Sequence, residues 1–268
     1  MILDIDVGNT RIKWRFCDSL GNVVSRGFSV SASIDSGDAF NKLFDIKLMS
    51  PLSVVRVAAV ASDFNEYISR WASDHGADLY FAETQSSSAG VSNAYQQVSH
   101  MGVDRWLAMI AAYQKWLAMR TTIPDLHRAL IVIDAGSALT LDIITSGGQH
   151  LGGYIVPGLA MMHNALLGNT ERVRFAENSS NNYPDDLCLG DSTKRAVLSG
   201  APMMQLGFIQ RVITTTVANQ KNPSQEDVAI FITGGDAAYL SSFLRQDGIA
   251  DIHHYPDLVM DGLALCLD

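Results

Sequence analysis

Residues 1–17 read MILDIDVGNTRIKWRFC, and residues 130–145 read LIVIDAGSALTLDIIT. In the first stretch, 2–7 and 11–17 alternate apolar with polar or charged positions, and Gly8-Asn9 punctuates them. A period of two sends successive side chains to opposite faces, so Ile12, Trp14 and Phe16 share one face of an N-terminal β-hairpin. Asp6-Val7-Gly8-Asn9-Thr10 then returns 128 residues later (134 − 6) as Asp134-Ala135-Gly136-Ser137-Ala138. Each copy joins two expected strands and opens one half of the chain, which favours duplication. The fold expected is therefore α/β, with two similar domains over 1–120 and 121–268 and a ligand cleft between them.

The remaining pattern fits two such halves. Further strands are expected at 22–30 and 54–60, with a short helix near 37–47 and another at 63–74. VDRWLAMIAAYQKWLAM (103–119) is rich in helix formers, lacks Gly and Pro, and closes the first half as its clearest helix. Residues 120–129, with Pro124, suit a linker. The second half is expected to run as strands at 130–134, 138–145 and 149–155, helices at 158–167 and 191–219, a strand at 228–232, and helices near 236–245 and 257–267. The polar, Pro-containing run Asn178–Asp186 reads as a mobile loop, of the kind that can close over a substrate.

Composition narrows the function classes. The chain has 268 residues, 47% hydrophobic and 18% charged, which suits a globular enzyme rather than a disordered segment. A formal charge of −9 argues against nucleic acid as a direct partner, because phosphate-backbone binding needs clustered Lys and Arg. It leaves room for a nucleotide, which a few backbone N–H groups and one or two cations can hold. Cys17, Cys188 and Cys266 lack paired spacing and read as reduced, buried thiols. Asp4 and Asp6 interrupt the start where a signal peptide would be apolar, and no stretch of about 18 apolar residues follows. A cytoplasmic protein with no membrane partner is expected.

Four short motifs carry chemistry. The D-x-G-N-T turn sets Asp6 at a strand end and leaves backbone N–H groups available to an anion. Asp6 could hold Mg²⁺ there, with Asn9, Thr10 and Lys13 offering hydrogen bonds and charge. A plain hairpin turn would use the same Gly-Asn chemistry, and the second copy at Asp134 weighs against that alternative. Thr233-Gly234-Gly235-Asp236 follows the apolar VAIFI and precedes a helix, so backbone can approach a ligand closely. Gly102-Val103-Asp104-Arg105 opens the clearest helix. Asp104 there suits a cap, whereas Arg105 faces the partial positive charge of a helix start and could be held for a ligand anion. His163 and His253-His254 read as structural, and Met161-Met162 and Met203-Met204 as packing.

Taken in order, these motifs resemble the type III pantothenate kinase family over essentially the whole chain: D-x-G-N-T with Lys13 three residues on, Tyr95, G-V-D-R, D-x-G-S-A, G-D-S-T at 190–193 and T-G-G-D at 233–236. The resemblance implies the acetate-kinase, sugar-kinase and actin superfamily, with duplicated ribonuclease-H-like halves. It implies ATP-dependent phosphorylation of pantothenate, the first step of coenzyme A synthesis, with Mg²⁺ as cofactor. On this sequence it implies ATP binding by Asp6, Val7, Gly8, Asn9, Thr10, Arg11, Ile12 and Lys13 and by Ser137, where the family usually has Thr. It implies substrate binding by Tyr95, Gly102, Val103, Asp104, Arg105 and Thr193, with Asp104 as proton acceptor. Asp6 would hold the nucleotide's metal and Asp134 a monovalent cation, K⁺ or NH₄⁺. A homodimer is also implied, and the apolar pattern of 196–212 exceeds what one core face needs. The alternatives are a non-enzymatic accessory factor for gene expression from the same family and a related small-molecule kinase acting, for example, on a sugar.

Overall fold

The computed structural model describes residues 1–34, 36–44, 51–120, 129–169, 183–218 and 228–266. The linker expected at 120–129 and the first part of the loop at 178–186 fall largely outside them. The chain forms two compact units, Met1–Ala118 with Asp257–Asp268, and Met119–Pro256. Against the halves expected over 1–120 and 121–268, the difference is the return of the last residues to the first unit, where their helix finds its packing partners.

The first unit holds β1 (Ile2–Val7), β2 (Arg11–Cys17), β3 (Val23–Val30), α1 (Gly37–Asn41), β4 (Val54–Ala59), α2 (Asn65–Asp74) and β5 (Asp78–Phe81). A small hairpin follows, β6 (Ser87–Ser88) and β7 (Val91–Ser92), then α3 (Val103–Arg120). Its sheet runs β3-β2-β1-β4-β5, with β1 antiparallel to β2 and parallel to β4. One face, with Leu3, Ile5, Val7, Ile12, Trp14 and Phe16, packs into an aromatic core with Phe40, Phe44, Phe64 and Trp71. Burying such side chains contributes roughly 1.5–3 kcal/mol each, which explains why the alternating pattern fixes the register.

The opposite face carries charge. Asp4 is fully buried and accepts from Arg15 Nε at 2.9 Å and from Arg56 Nε at 2.7 Å. Arg15 also donates through Nη1 to Asp261 Oδ1 at 2.5 Å, and Lys115 Nζ lies 2.9 Å from Asp261 Oδ2. Burial alone would lower the Arg15 pKa; the bonds to Asp261 and Asp4 outweigh it and raise it. Asp261 belongs to the last helix, which packs on β1 and β4.

The second unit holds β8 (Ala129–Ala135), β9 (Ala138–Ile144), β10 (His150–Pro157), α4 (Leu159–Asn169), α5 (Thr193–Ala218), β11 (Val228–Thr233), α6 (Ala237–Gln246) and β12 (Ile252–His254). After it, α7 (Leu258–Cys266) rejoins the first unit. A cross-section of α7 against α3 is tight: a Cβ added at Gly262 would lie 2.3 Å from the Leu107 carbonyl oxygen. The second sheet runs β10-β9-β8-β11-β12, the same order as the first with each strand replaced by its counterpart. This is the duplicated α/β architecture that the sequence echo called for, with the ribonuclease-H-like units that the family resemblance implies.

The copies differ at the hairpin. Pairing resumes at Val7↔Ile12 in the first and at Ala135↔Leu139 in the second, so the second loop (136–138) is one residue shorter than the first (8–11). Two packing expectations need correction. Met161, Met203 and Met204 are 49%, 54% and 68% exposed, because the unit buries only one stripe of α5 and these side chains lie off it or on α4. Cys17 is buried, but Cys266 is half-buried and Cys188 exposed in a coil segment, where no core reaches it.

Candidate functional site

The first candidate cluster grows from the β1–β2 hairpin. Asp6 and Lys13 are directly opposed in its register, with Nζ 4.0 Å from Oδ2. Both side chains are partly accessible, as a metal or phosphate partner requires. The turn closes on Gly8 N–H donating to Arg11 O at 3.0 Å, and a Cβ at Gly8 would lie 3.1 Å from that oxygen. Asn9, Thr10 and Arg11 are exposed, while Val7 and Ile12 anchor the loop in the core. Ser31, which the sequence did not single out, braces the turn: its N–H donates to Thr10 O at 2.9 Å and its hydroxyl to Gly8 O at 3.3 Å. Arg11 lies over the Phe28 ring at 5.4 Å.

In the second unit three backbone turns converge on Asp134. Gly158 N–H donates to Ser137 O at 3.1 Å, and Asp236 N–H donates to Ala135 O at 2.9 Å. A Cβ at Gly158 would lie 2.3 Å from Gly136 O, and one at Gly234, where φ is +100°, would lie 2.4 Å from Ala135 O and 2.6 Å from Asp134 Oδ1. Only glycine fits at either point. The result is a carboxylate ringed by bare backbone, suited to phosphate and a cation. In the same unit, burial pushes the Tyr183 hydroxyl up to about 12, with the Asp236 charge adding to it. Tyr239 is likewise pushed up to about 12, chiefly by burial, and its hydroxyl donates to Pro184 O at 2.9 Å.

The third cluster sits at the start of α3. Asp104 Oδ1 accepts from the Arg105 N–H at 2.8 Å, so its carboxylate folds back on the first helical turn. A Cβ at Gly102 would meet that oxygen at 2.5 Å, so a larger residue there would push the Asp104 carboxylate aside. Arg105 is buried, donates through Nη1 to the Tyr95 hydroxyl at 2.7 Å and lies 5.6 Å from the centre of that ring. Val103 is buried and secures the turn. Tyr95 and Arg105, ten residues apart, thus form one polar grip next to the Asp104 carboxylate.

Thr193 is exposed at the start of α5. The preceding Ser192 bonds the helix through its hydroxyl to Arg195 N–H at 3.3 Å, and Gly190 packs so closely that a Cβ would lie 2.3 Å from Ala196 N. Among the described residues no three His, Cys, Asp or Glu side chains cluster as a protein-only metal cage. A Mg²⁺ carried by nucleotide phosphates needs only one or two carboxylates, and Asp6, partly accessible beside an exposed turn, fits that requirement. No helix among the described residues is long and apolar enough to cross a membrane.

Comparison with known proteins shows the family and the fold. A family model described as type III pantothenate kinase matches residues 2–215. A type III pantothenate kinase of Pseudomonas paraeruginosa is 34% identical over 99% of this chain and 98% of its own length. Another, from Nitrosococcus oceani, is 32% identical over 98% of this chain and 92% of its own. Among solved structures, a candidate 2-dehydro-3-deoxygalactonokinase from Sinorhizobium meliloti is similar with a TM-score of 0.54 at 12% identity, covering 98% of this chain and 97% of that one. The ethanolamine utilization protein EutJ from Carboxydothermus hydrogenoformans gives 0.51 at 14%, covering 98% and 89%. At such identities the structural likeness speaks for the fold alone.

Proposed function

The chain belongs to the type III pantothenate kinase family, and from that premise we propose how its own residues divide the transfer of a phosphoryl group from ATP to pantothenate. It is a phosphotransferase acting on an alcohol group and catalyses the first step of coenzyme A synthesis. The observation that carries the division of labour is the Tyr95–Arg105 grip beside Asp104. A buried guanidinium, oriented by a phenol, presents a planar fork suited to a carboxylate, which pantothenate has and a neutral sugar lacks.

Asp104 orients the substrate's primary hydroxyl and takes its proton as that oxygen bonds to the γ-phosphorus and the bond from this phosphorus to the β,γ-bridging oxygen breaks, so the proton rests on a carboxylate oxygen and ADP leaves. An ordinary Asp, with a pKa of about 3.9, is a weak base, and its role is orientation early and acceptance late. Lys13 and the exposed Asn9 and Thr10 of the first turn hold the phosphates, and Ser137 in the second unit's turn is a further nucleotide contact of the same proposal. Mg²⁺, when bound with the nucleotide near Asp6, supplies charge neutralisation. Positioning and charge balance are the main requirements of this reaction. A coupled assay on purified protein, with pantothenate against a panel of sugars, tests the reading: turnover of pantothenate is expected, and preferential turnover of a sugar would overturn it.

Three finer features belong to the same proposal. Asp134 takes a monovalent cation, so rates should be higher in potassium or ammonium than in sodium; equal rates would remove the idea. The protein acts as a homodimer, supported by exposed Tyr154, Ile155, Met161, Met203 and Met204 in the second unit. It works in the cytoplasm, in keeping with its substrates, and its net charge of −9 gives nucleic acid no purchase.

A further inference from the structure

Between β5 and α3 the chain makes an excursion whose construction has a direction. Its base is closed by Thr84 Oγ1 donating to Met101 O at 2.9 Å. Its far end is the β6–β7 hairpin, whose tip residues Ala89 and Gly90 both have positive φ, 45° and 79°. That tip is fastened to α3, because Gln114 Nε2 donates to Ala89 O at 2.7 Å and a Cβ at Gly90 would lie 3.1 Å from the Tyr113 ring. The hairpin is therefore a fixed reference on the helix that also carries Arg105.

Asn93 transmits that reference to Tyr95. Its backbone N–H donates to Ser86 O at 2.9 Å and continues the hairpin ladder by one bond. Its Nδ2 donates to Gln85 O at 3.3 Å on the same opposing segment. Its Oδ1 accepts from the Tyr95 N–H at 2.9 Å, an Asx turn that fixes the backbone two residues on. Tyr95 in turn receives Arg105 Nη1 at 2.7 Å. One half-buried side chain thus satisfies groups on both sides of the bend from which the phenol is aimed.

We propose that Asn93 is a positioning residue for the carboxylate end of the substrate, acting through Tyr95 on the Arg105 guanidinium. The inference rests on the reading of Tyr95 and Arg105 as the carboxylate grip, and it extends that grip to the residue that holds the Tyr95 backbone. Losing the Asx bond removes one restraint on the Tyr95 backbone and so loosens the phenol against which the guanidinium is oriented, while Asp104, tied to its own helix, keeps its geometry. The defect should fall on pantothenate binding and spare the chemical step.

The test is steady-state kinetics in both substrates for Asn93→Ala, Asn93→Asp and Arg105→Ala, each with pantothenate and with its alcohol analogue, in which CH₂OH replaces the carboxylate. Asn93→Ala is expected to raise the KM for pantothenate about tenfold, as for one lost hydrogen bond, with kcat within about twofold and the KM for ATP unchanged. Asn93→Asp keeps the acceptor for the Tyr95 N–H and should recover most of the loss, which generic loop damage would not allow. Both Asn93 variants should bind the alcohol as the wild type does. An unchanged KM in Asn93→Ala, or kcat and both KM values shifting together in both Asn93 variants, overturns the proposal. If Asn93→Ala does not fold, Asn93→Asp decides: near-wild-type KM for pantothenate supports it, and a loss of tenfold or more opposes it. Arg105→Ala separates the two levels. If it binds pantothenate normally, the grip itself is wrong and the proposal falls with it; if it alone is defective, only the role of Asn93 falls.

Discussion

Lys13 stands directly opposite Asp6 across the first hairpin, whereas the station opposite Asp134 in the second hairpin is taken by Thr140. The duplicated turns therefore carry different charge: the first pairs a carboxylate with a cation 4.0 Å away, and the second sets a carboxylate opposite a neutral hydroxyl. The first suits a phosphate whose charge needs balancing, and the second suits a small cation. Lys13→Met should lower kcat/KM for ATP by about 10- to 100-fold, the range for one charge-assisted contact, with pantothenate binding little changed. Initial rates over an ATP series measure it, and an unaltered ATP response would take Lys13 out of the phosphate site.

Asp104 and Arg105 are neighbours to which the proposed mechanism gives separate tasks. Asp104→Asn keeps an oxygen for the Arg105 N–H and so preserves the helix start. It should lower kcat by roughly 10² or more while leaving pantothenate affinity near wild type. Arg105→Ala removes the Nη1 bond to the Tyr95 hydroxyl along with the guanidinium and should weaken pantothenate binding by about 2 kcal/mol, seen first in KM. Calorimetric titration with pantothenate distinguishes them, and the reverse pattern would exchange the two roles.

Glycines at 234 and 248 both have positive φ, +100° and +87°, but only the first is crowded. Gly248→Ala meets nothing within 4 Å and should cost about 1 kcal/mol, the backbone term alone. Gly234→Ala adds a collision with Ala135 O and the Asp134 carboxylate and should cost about 3 kcal/mol or more. Urea denaturation of the two variants compares them directly; equal losses would mean that the turns around Asp134 yield easily.

Assembly can be probed on α5. Met203 and Met204 are 54% and 68% exposed, so exchanging both for Lys should change the stability of an isolated chain by no more than about 0.5 kcal/mol per site. In a homodimer that covers them, the same change places charge in an apolar contact and should yield monomers. Light scattering at micromolar concentration reads the outcome, and a dimer that survives the double change locates the contact elsewhere.

The sequence was most informative where burial imposes a period. The hairpins at Asp6 and Asp134, the helix beginning at Val103 and the apolar strand at Val228 are visible because one face or the whole element is apolar. Strands β5 and β12 escaped notice because four and three residues are too few to establish a period at a sheet edge. The hairpin at Ser87–Ser92 escaped because its residues are small and polar, and its tip places an alanine at φ 45° without the usual glycine or asparagine. Residue types at the candidate site were legible, but the contact of Tyr95 with Arg105 follows a bend at which Asn93 Oδ1 accepts from the Tyr95 N–H. An Asn two residues before the Tyr was the available signal. The Asp4–Arg15–Arg56 cluster was written as charge in apolar strands, yet its helix partner Asp261 lies 246 residues from Arg15.

That last separation has a consequence for biosynthesis. The second unit is continuous in sequence, so a ribosome delivers all of it before α7 appears. The first unit, although its sheet is made first, waits for Asp261 to engage Arg15 and for Gly262 to seat against Leu107. Until then the nascent N-terminal domain carries an uncovered face with a guanidinium only partly neutralised. All of the second unit is therefore made before the first unit has its last helix, so the earliest segment synthesised belongs to the unit whose contacts can be completed last.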